Sequence, residues 1–595
     1  MKIAELPRFL RTVRHLRWSQ VAARLERTAQ RRLGSAFNIR FDTPFSASPP
    51  EFSSLADPRE FSSVPEEISA DVADDLLDYL EAGIFRFLNQ TEAIGYENPD
   101  WRLGNRTSSR LWTITLHYHK WAYELAKIVH ANGEAEPGTA SRAANIFTHY
   151  LADWMTSCDR QISGAEDLAW NSYAIATRIP NWIRSFNLLG PEFFSQRPEF
   201  GERFLSSLWR QAEHLYANLE WDLRANHLMR DATGLAWAGR FFTGAEPQRW
   251  LSAAAHIAAH QFQEQVLPDS GHFERSPHYH AEIMQDGLAL AKLVDSQELS
   301  HHILKTWQKM AEYAAWLRHP DGVSPQLNDG GKLSPDRLLA LGCKSLDSGI
   351  DLQPRSGGRF FQDTGVVAWH GSRWTCFWDV GEIGPTYQPG HAHADTLTLE
   401  CSLDGRRLFV DPGTHSYDLD ERRRYDRSTD AHNTVCIDDQ DSSEVWHIFR
   451  VGRRAVPRNV NIEITSDQFR GEATHTGYDH LEGSPRHSRS IQFTNDDRFE
   501  LTDVVAGNGT HLIRGGFLLA PEWRATALAG GWKITNGKVS ALIRLTSNSN
   551  ISLSVQQRPL HPEYGLEVLT QRLCWSYRGT LPLKVSMVVE PAKNS

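Results

Sequence analysis

"DLQPRSGGRFFQDTGVVAWHGSRWTCFWDV", residues 351–380, is where the chain changes its period. Before it, apolar residues recur at three- and four-residue spacing, the mark of amphipathic helices. After it they alternate in short segments set off by Gly, Asp and Asn, the mark of paired strands. Upstream, "LWTITLHYHKWAYELAKIVHAN" (111–132), "LAWNSYAIATRIPNWIRSFNLL" (168–189) and "RFLSSLWRQAEHLYANLEWDL" (203–223) are clear helical cases. Downstream, "TLTLECS" (396–402), "RRLFVDPG" (406–413), "NTVCIDD" (433–439) and "SIQFTND" (490–496) are short strands. The chain is therefore expected to be multidomain α and β: a lead segment over 1–65, a helical domain over 66–350 and an antiparallel β-sandwich over 351–595. The lead segment pairs a basic helix with a Pro/Ser-rich stretch, "TPFSASPPEFSSLADPREFSSVPEE" (43–67).

A length of 595 residues is too much for one core, and 40% hydrophobic with 23% charged residues is ordinary for a soluble globular protein. The net charge of -10 argues against a general nucleic-acid binder, so an anionic partner needs a local basic site. Six scattered cysteines form no CxxC pair and no disulfide framework. The basic N-terminus lacks an apolar run of secretory length, and no later run reaches transmembrane length, so a cytoplasmic protein is expected, with a periplasmic one as the alternative. Thirteen of the twenty tryptophans precede residue 320, enough to fill helix cores and leave some to stack on sugar rings.

Four places concentrate chemistry. Asn226 is positioned to cap a helix, with His227 beside it. Ser276-Pro277 reads as N-cap and first helical residue, placing His278, Tyr279 and His280 in a first turn whose free N–H groups favour an anion, with Arg275 next to it. His391, His393 and Asp395 alternate where a strand pattern begins, and Asp404-Gly405 is a hairpin turn. His393, Asp411 and His432 are a plausible two-His, one-carboxylate set for a divalent metal, zinc above all. A plain hairpin sets Asp411 opposite Thr398, about 17 Å along the strand from His393, so the chain must fold back before Asp395, with Pro389-Gly390 as the expected bend. Arg422, Arg423, Arg424 and Arg427 around Tyr425 form a candidate carboxylate or sulfate clamp.

"ANHLMRDATGLAWAG" (225–239), "DSGHFERSPHYH" (269–280), "PGHAHADTLTLECSLDGRRLFVDPGTHSYD" (389–418) and "RSTDAHNTVCIDDQDSSEVWHIFRVGRRA" (427–455), in that order, resemble the heparinase II/III-like polysaccharide lyases. The resemblance implies an N-terminal incomplete (α/α) toroid followed by a β-sandwich. It implies β-elimination on a uronic-acid-containing glycan, heparan sulfate-like, alginate-like or a bacterial exopolysaccharide. Asn226 and His227 then neutralise the uronate carboxylate, Tyr279 is the catalytic acid/base and His391 the second proton-transfer residue. Arg275, His280, Arg424, Tyr425 and Arg427 are the substrate-binding candidates. His393, Asp411 and His432 are the ligands of a structural or site-organising zinc, with Asp395 an orienting carboxylate behind them. A phenol acting as base needs its pKa lowered by nearby positive charge, expected from His227 and His391. The alternatives are a non-catalytic glycan-binding or polysaccharide-assembly protein, and a glycoside hydrolase drawing on Glu274, Glu282 or Asp286.

Overall fold

The structure is a computed structural model that describes residues 6–37, 69–103, 109–132, 137–159, 168–346, 355–465, 467–494 and 498–592. The Pro/Ser-rich stretch over 43–67, and most of the expected junction near residue 350, lie outside the described residues. Two compact units result: one comprises residues 17–264 and 285–307, the other residues 1–16, 265–284 and 308–595.

The first unit is helical. Its helices include Lys120–Asn132, Pro137–Ser157, Ser172–Ser195, Pro198–Ala217, Ala225–Phe241 and Ala245–Gln265. Local signals place their starts: Ser109 and Asn171 accept from the N–H groups of Trp112 and Ala174, three residues on. Gly190, at φ 76, breaks the Ser172–Ser195 helix just before Pro191. Ala225–Phe241 lies so close to Ser172–Ser195 that a Cβ on Gly234 would stand 2.7 Å from the Cα of Ala176. Of the tryptophans before residue 320, only Trp18, Trp221 and Trp316 escape burial, so the tryptophan excess is core. Arg178, fully buried, donates to the carbonyls of His117 and Ala169 and to Gln211, and stacks over Trp154.

The second unit carries antiparallel sheets of eight, four and five strands, and a two-stranded pair, Val445–Trp446 with Arg450–Val451. Their inward faces share one core that includes Trp369, Trp374, Trp378, Phe469, Phe493, Trp523 and Trp532. The five-stranded sheet contains the expected hairpin, Leu399–Leu403 with Arg406–Phe409. Asp404 (φ 47) and Gly405 (φ 76) both adopt left-handed backbone, as a two-residue turn of this kind requires.

One expectation fails here. The strand begins only at Leu399, so His391, His393 and Asp395 share no strand face; they lie on the loop before it. The expected bend at Pro389-Gly390 is present, the Ala392 N–H donating to the Pro389 carbonyl at 3.4 Å, and the chain turns a second time after Asp395. Leu397 takes φ 69 and the N–H of Thr398 closes a turn onto the carbonyl of Asp395 at 2.7 Å. A bulge beside Cys401 and Ser402 shifts the hairpin register as well. Among the described residues no helix is long and apolar enough to cross a membrane, and all six cysteines are free thiols.

Candidate active site

Tyr279 sits in the first turn of the helix Pro277–Leu293, with Ser276 capping it as expected: the Tyr279 N–H donates to Ser276 Oγ at 3.3 Å. The Ser276 hydroxyl in turn donates to the Asp329 carbonyl at 2.7 Å, fastening the helix start to the loop Asn328–Gly331. That loop must be glycine-bearing, because a Cβ on Gly330 would stand 2.6 Å from the His278 Cβ. The phenol ring of Tyr279 stacks on the His391 imidazole with centroids 3.8 Å apart. Its hydroxyl meets Tyr417 at 2.7 Å, and Tyr417 meets Tyr564 at 2.7 Å, giving a row of three phenols. Phe449, 42% exposed, stands 5.8 Å from His391 and offers an apolar platform at the mouth of this group.

Asp329 is the hub. It is fully buried, and Arg423 grips both its oxygens, Nη1 to Oδ1 and Nη2 to Oδ2, the latter at 2.7 Å. His391 Nδ1 donates to Oδ2 at 3.1 Å and His393 Nε2 to Oδ1 at 2.8 Å, so one carboxylate orients both histidines. Burial alone would raise the Asp329 pKa, but Arg423 beside it and the hydrogen bonds from His391 and His393 hold it well below the usual carboxylate range. With Nδ1 committed, Nε2 is the working nitrogen of His391, 3.8 Å from a Glu274 oxygen. Asp395 does not take the orienting role expected of it. It is buried against Asp379 instead, and burial, with repulsion between the two carboxylates, pushes Asp379 well above its usual range.

Tyr279 departs from expectation too. Burial first, then the charges that would form on Tyr417 and Tyr564, push its pKa well above 10. In the resting protein this phenol is therefore protonated.

His393, Asp411 and His432 converge as anticipated, all buried, with one ligand atom from each lying within 4.8 Å of the others. His393 spends its Nε2 proton on Asp329, and His432 spends its Nδ1 proton on the Ser428 carbonyl at 2.7 Å. The remaining nitrogens, His393 Nδ1 and His432 Nε2, thus face each other as lone pairs at 3.2 Å. Asp411 Oδ2, buried without a hydrogen-bond partner, lies 3.4 Å from that His432 nitrogen. Two nitrogen lone pairs and a carboxyl oxygen suit a metal cation, which would take the place of the proton that burial and the nearby Glu400 favour on Asp411. Separations of 3.2 and 3.4 Å across His432 are short enough for its neighbours to share one cation with it. The outer hydrogen bonds to Asp329 and Ser428 are what metal-bound imidazoles require.

Asn226 and His227 belong to the other unit. Asn226, 5% exposed, is the second residue of the helix Ala225–Phe241 and not its cap. The capping position is Arg224, at φ 61, followed by Ala225 at φ 53. His227 donates from Nδ1 to Glu220 at 2.9 Å, which fixes its tautomer, and its ring lies 4.8 Å from Tyr173.

The substrate-binding candidates fare less well. His280 is buried with Nε2 on the Met310 carbonyl. Arg427, also buried, gives its donors to the carbonyls of Ala392, His447, Ile448 and Arg450. Arg275 ties down the carbonyls of Asp363 and Glu382, and Tyr425 that of Pro559. These four brace the loops of the site, because buried carbonyls claim their donors first. Arg424 alone is exposed, beside Glu421. The arginine of the cluster that serves the site is Arg423. Sequence reasoning also missed Asp329, whose signal was an Asp-Gly-Gly turn 62 residues before His391.

Comparison with known proteins follows the same geometry. Residues 61–342 match the family description "Heparinase II/III N-terminus" and residues 353–590 match "Heparinase II/III-like, C-terminal". A heparin-sulfate lyase of Bacteroides stercoris is 23% identical over 466 residues, covering 70% of this chain and 66% of that protein. One of Bacteroides thetaiotaomicron is 22% identical over 71% of this chain and 63% of its own length. The alignments thus span just under two-thirds of these relatives. A crystal structure of heparinase III superposes with a TM-score of 0.76 at 18% identity, over 96% of this chain and 90% of that one. The fold is accordingly the incomplete (α/α) toroid plus antiparallel β-sandwich.

Proposed function

Because the chain belongs to the heparinase II/III-like family, we propose that it is a polysaccharide lyase that breaks a uronic-acid-containing glycan by β-elimination. The observation that carries the reading is the stacked Tyr279–His391 pair, backed by the buried Asp329–Arg423 ion pair. Elimination needs a base for the proton at C5 of the uronate, an acid for the departing O4, and relief of the charge that builds on the carboxylate. His391 presents Nε2 with its other nitrogen anchored, and takes the C5 proton. Tyr279, held protonated by burial, gives its proton to O4, and the phenols of Tyr417 and Tyr564 form the row through which that proton is replaced. An amide and an imidazole are the kinds of donor that relieve the charge on an enolate-like intermediate, and the family resemblance gives that role to Asn226 and His227. The C4–O bond breaks as the C4–C5 double bond forms, and no water is consumed. His393, Asp411 and His432 would hold a divalent ion, which would supply a fixed positive charge bracing the loop that bears both histidines.

Among substrates, a heparan sulfate-like glycosaminoglycan is favoured over alginate or an exopolysaccharide, because the relatives matched are heparin-sulfate lyases. A panel of heparan sulfate, other glycosaminoglycans and alginate, followed by the ultraviolet absorbance of the unsaturated uronide, tests this. The rise is expected first on heparan sulfate. Tyr279→Phe should lose at least 100-fold in kcat with the fold intact, as expected for a group acting in the proton transfers. Full activity in that variant would remove Tyr279 from the mechanism.

A further inference from the structure

The helical unit has a pocket that no step above uses. Its volume is about 400 Å³, and its lining includes Arg17, Trp221, Arg224, His256, His260 and Glu264. Trp221 is 38% exposed in a unit whose other tryptophans are mostly core. Arg17 and Arg224 both pair with Glu264, Arg224 Nη2 at 2.7 Å, and Gln261 donates to the same carboxylate at 3.0 Å. Two guanidinium groups are thus held side by side by one carboxylate at the pocket wall. His256 and His260, one helical turn apart with ring centroids 4.5 Å from each other, add N–H donors at its rim.

The pocket is also joined to Asn226 and His227 through the backbone. Glu220, whose carboxylate holds His227, precedes Trp221 directly, and its carbonyl accepts from the N–H groups of Leu223 and Arg224. Asp231 fixes the Glu220 N–H at 2.8 Å. Arg224 and Ala225 then take left-handed backbone, φ 61 and 53, costly for residues with a side chain and commonest where function demands a particular placement. An aromatic face, guanidinium groups and imidazole donors around a sugar-sized space are the chemistry that recognises an acidic saccharide.

We propose that this pocket is a binding subsite for an acidic sugar unit of the glycan, one carrying a carboxylate or sulfate, with Trp221 as the stacking face and the Arg17–Arg224 pair as the anion contact. The proposal rests on the lyase reading and extends it to substrate length. Oligosaccharides of increasing length, given to the wild type and to Trp221→Ala, test it. Trp221→Ala should raise KM about tenfold on long chains, and progressively less on shorter ones, with kcat unchanged, as loss of uniform binding requires. Trp221→Phe should recover most of the loss, which separates a stacking role from a folding defect. Equal KM values at every length in an active enzyme would overturn the subsite and leave the lyase reading intact. If the wild type cleaves none of the glycans, the lyase reading falls, and calorimetric binding of the same oligosaccharides decides the subsite. Binding lost in Trp221→Ala supports it, and binding that is absent or unchanged overturns it.

Discussion

Asp329 receives His391, His393 and Arg423 on one fully buried carboxylate. Asp329→Asn keeps the shape but leaves the Arg423 guanidinium buried and unpaired, which should cost about 3–5 kcal/mol. Urea denaturation of the variant measures this, and a loss below about 1 kcal/mol would mean that Arg423 finds another partner. Of the residues that come together around Asp329, some were legible as candidates where local pattern betrays them: Tyr279 by its Ser-Pro helix start, His391 and His393 by their alternation. Asp329 and the phenols Tyr417 and Tyr564 were not, because they come together only through tertiary folding. The arginine clamp was misread for a related reason. Four neighbouring arginines look alike in sequence, and burial alone decides that Arg423 faces a carboxylate while Arg427 faces carbonyls.

At the scale of elements, the hairpin at Asp404-Gly405 was legible from its turn residues, and the helix from Pro277 from its cap. The turn at Leu397 was not, since a leucine at φ 69 leaves no trace in the pattern and is imposed by its surroundings. Helix contact gives one prediction. Gly234→Ala drives a methyl against the Ala176 backbone, and should cost about 1–3 kcal/mol in thermal or urea unfolding; neutrality would mean that the two helices can part. The five-stranded sheet gives another. Glu400, buried under His319 and Arg407, has its pKa pushed up to about 7 by burial. An acid raised in the folded state stabilises fully below its unfolded pKa of about 4.3 and loses that contribution as pH rises through about 7. Glu400→Gln should therefore be more stable than the parent at pH 8, by on the order of 3 kcal/mol, with the gap closing towards pH 5. Arg407 keeps Asp321 as a partner in that variant. Parallel pH profiles for the two proteins would contradict the burial argument.

For the whole molecule, the change of period near residue 351 foretold helices before and sheets after. Compactness divides the chain differently, grouping residues 265–284 and 308–346 with the sheets, because the Tyr279 helix start and the Asp329 loop are bound to the histidine loop by hydrogen bonds that period cannot reveal. A metal at His393, Asp411 and His432 would brace that assembly. Purified protein should carry about one zinc ion per chain, and a chelator should lower its Tm, while His432→Ala should bind none and show no chelator response. Protein without metal whose Tm ignores added zinc would count against the site. The central claim, elimination without water, is tested most directly by digesting heparan sulfate in water enriched with heavy oxygen and weighing the products. Elimination leaves unsaturated oligosaccharides with no label at the new ends. Saturated products carrying one heavy oxygen at each cleavage would show hydrolysis and contradict it.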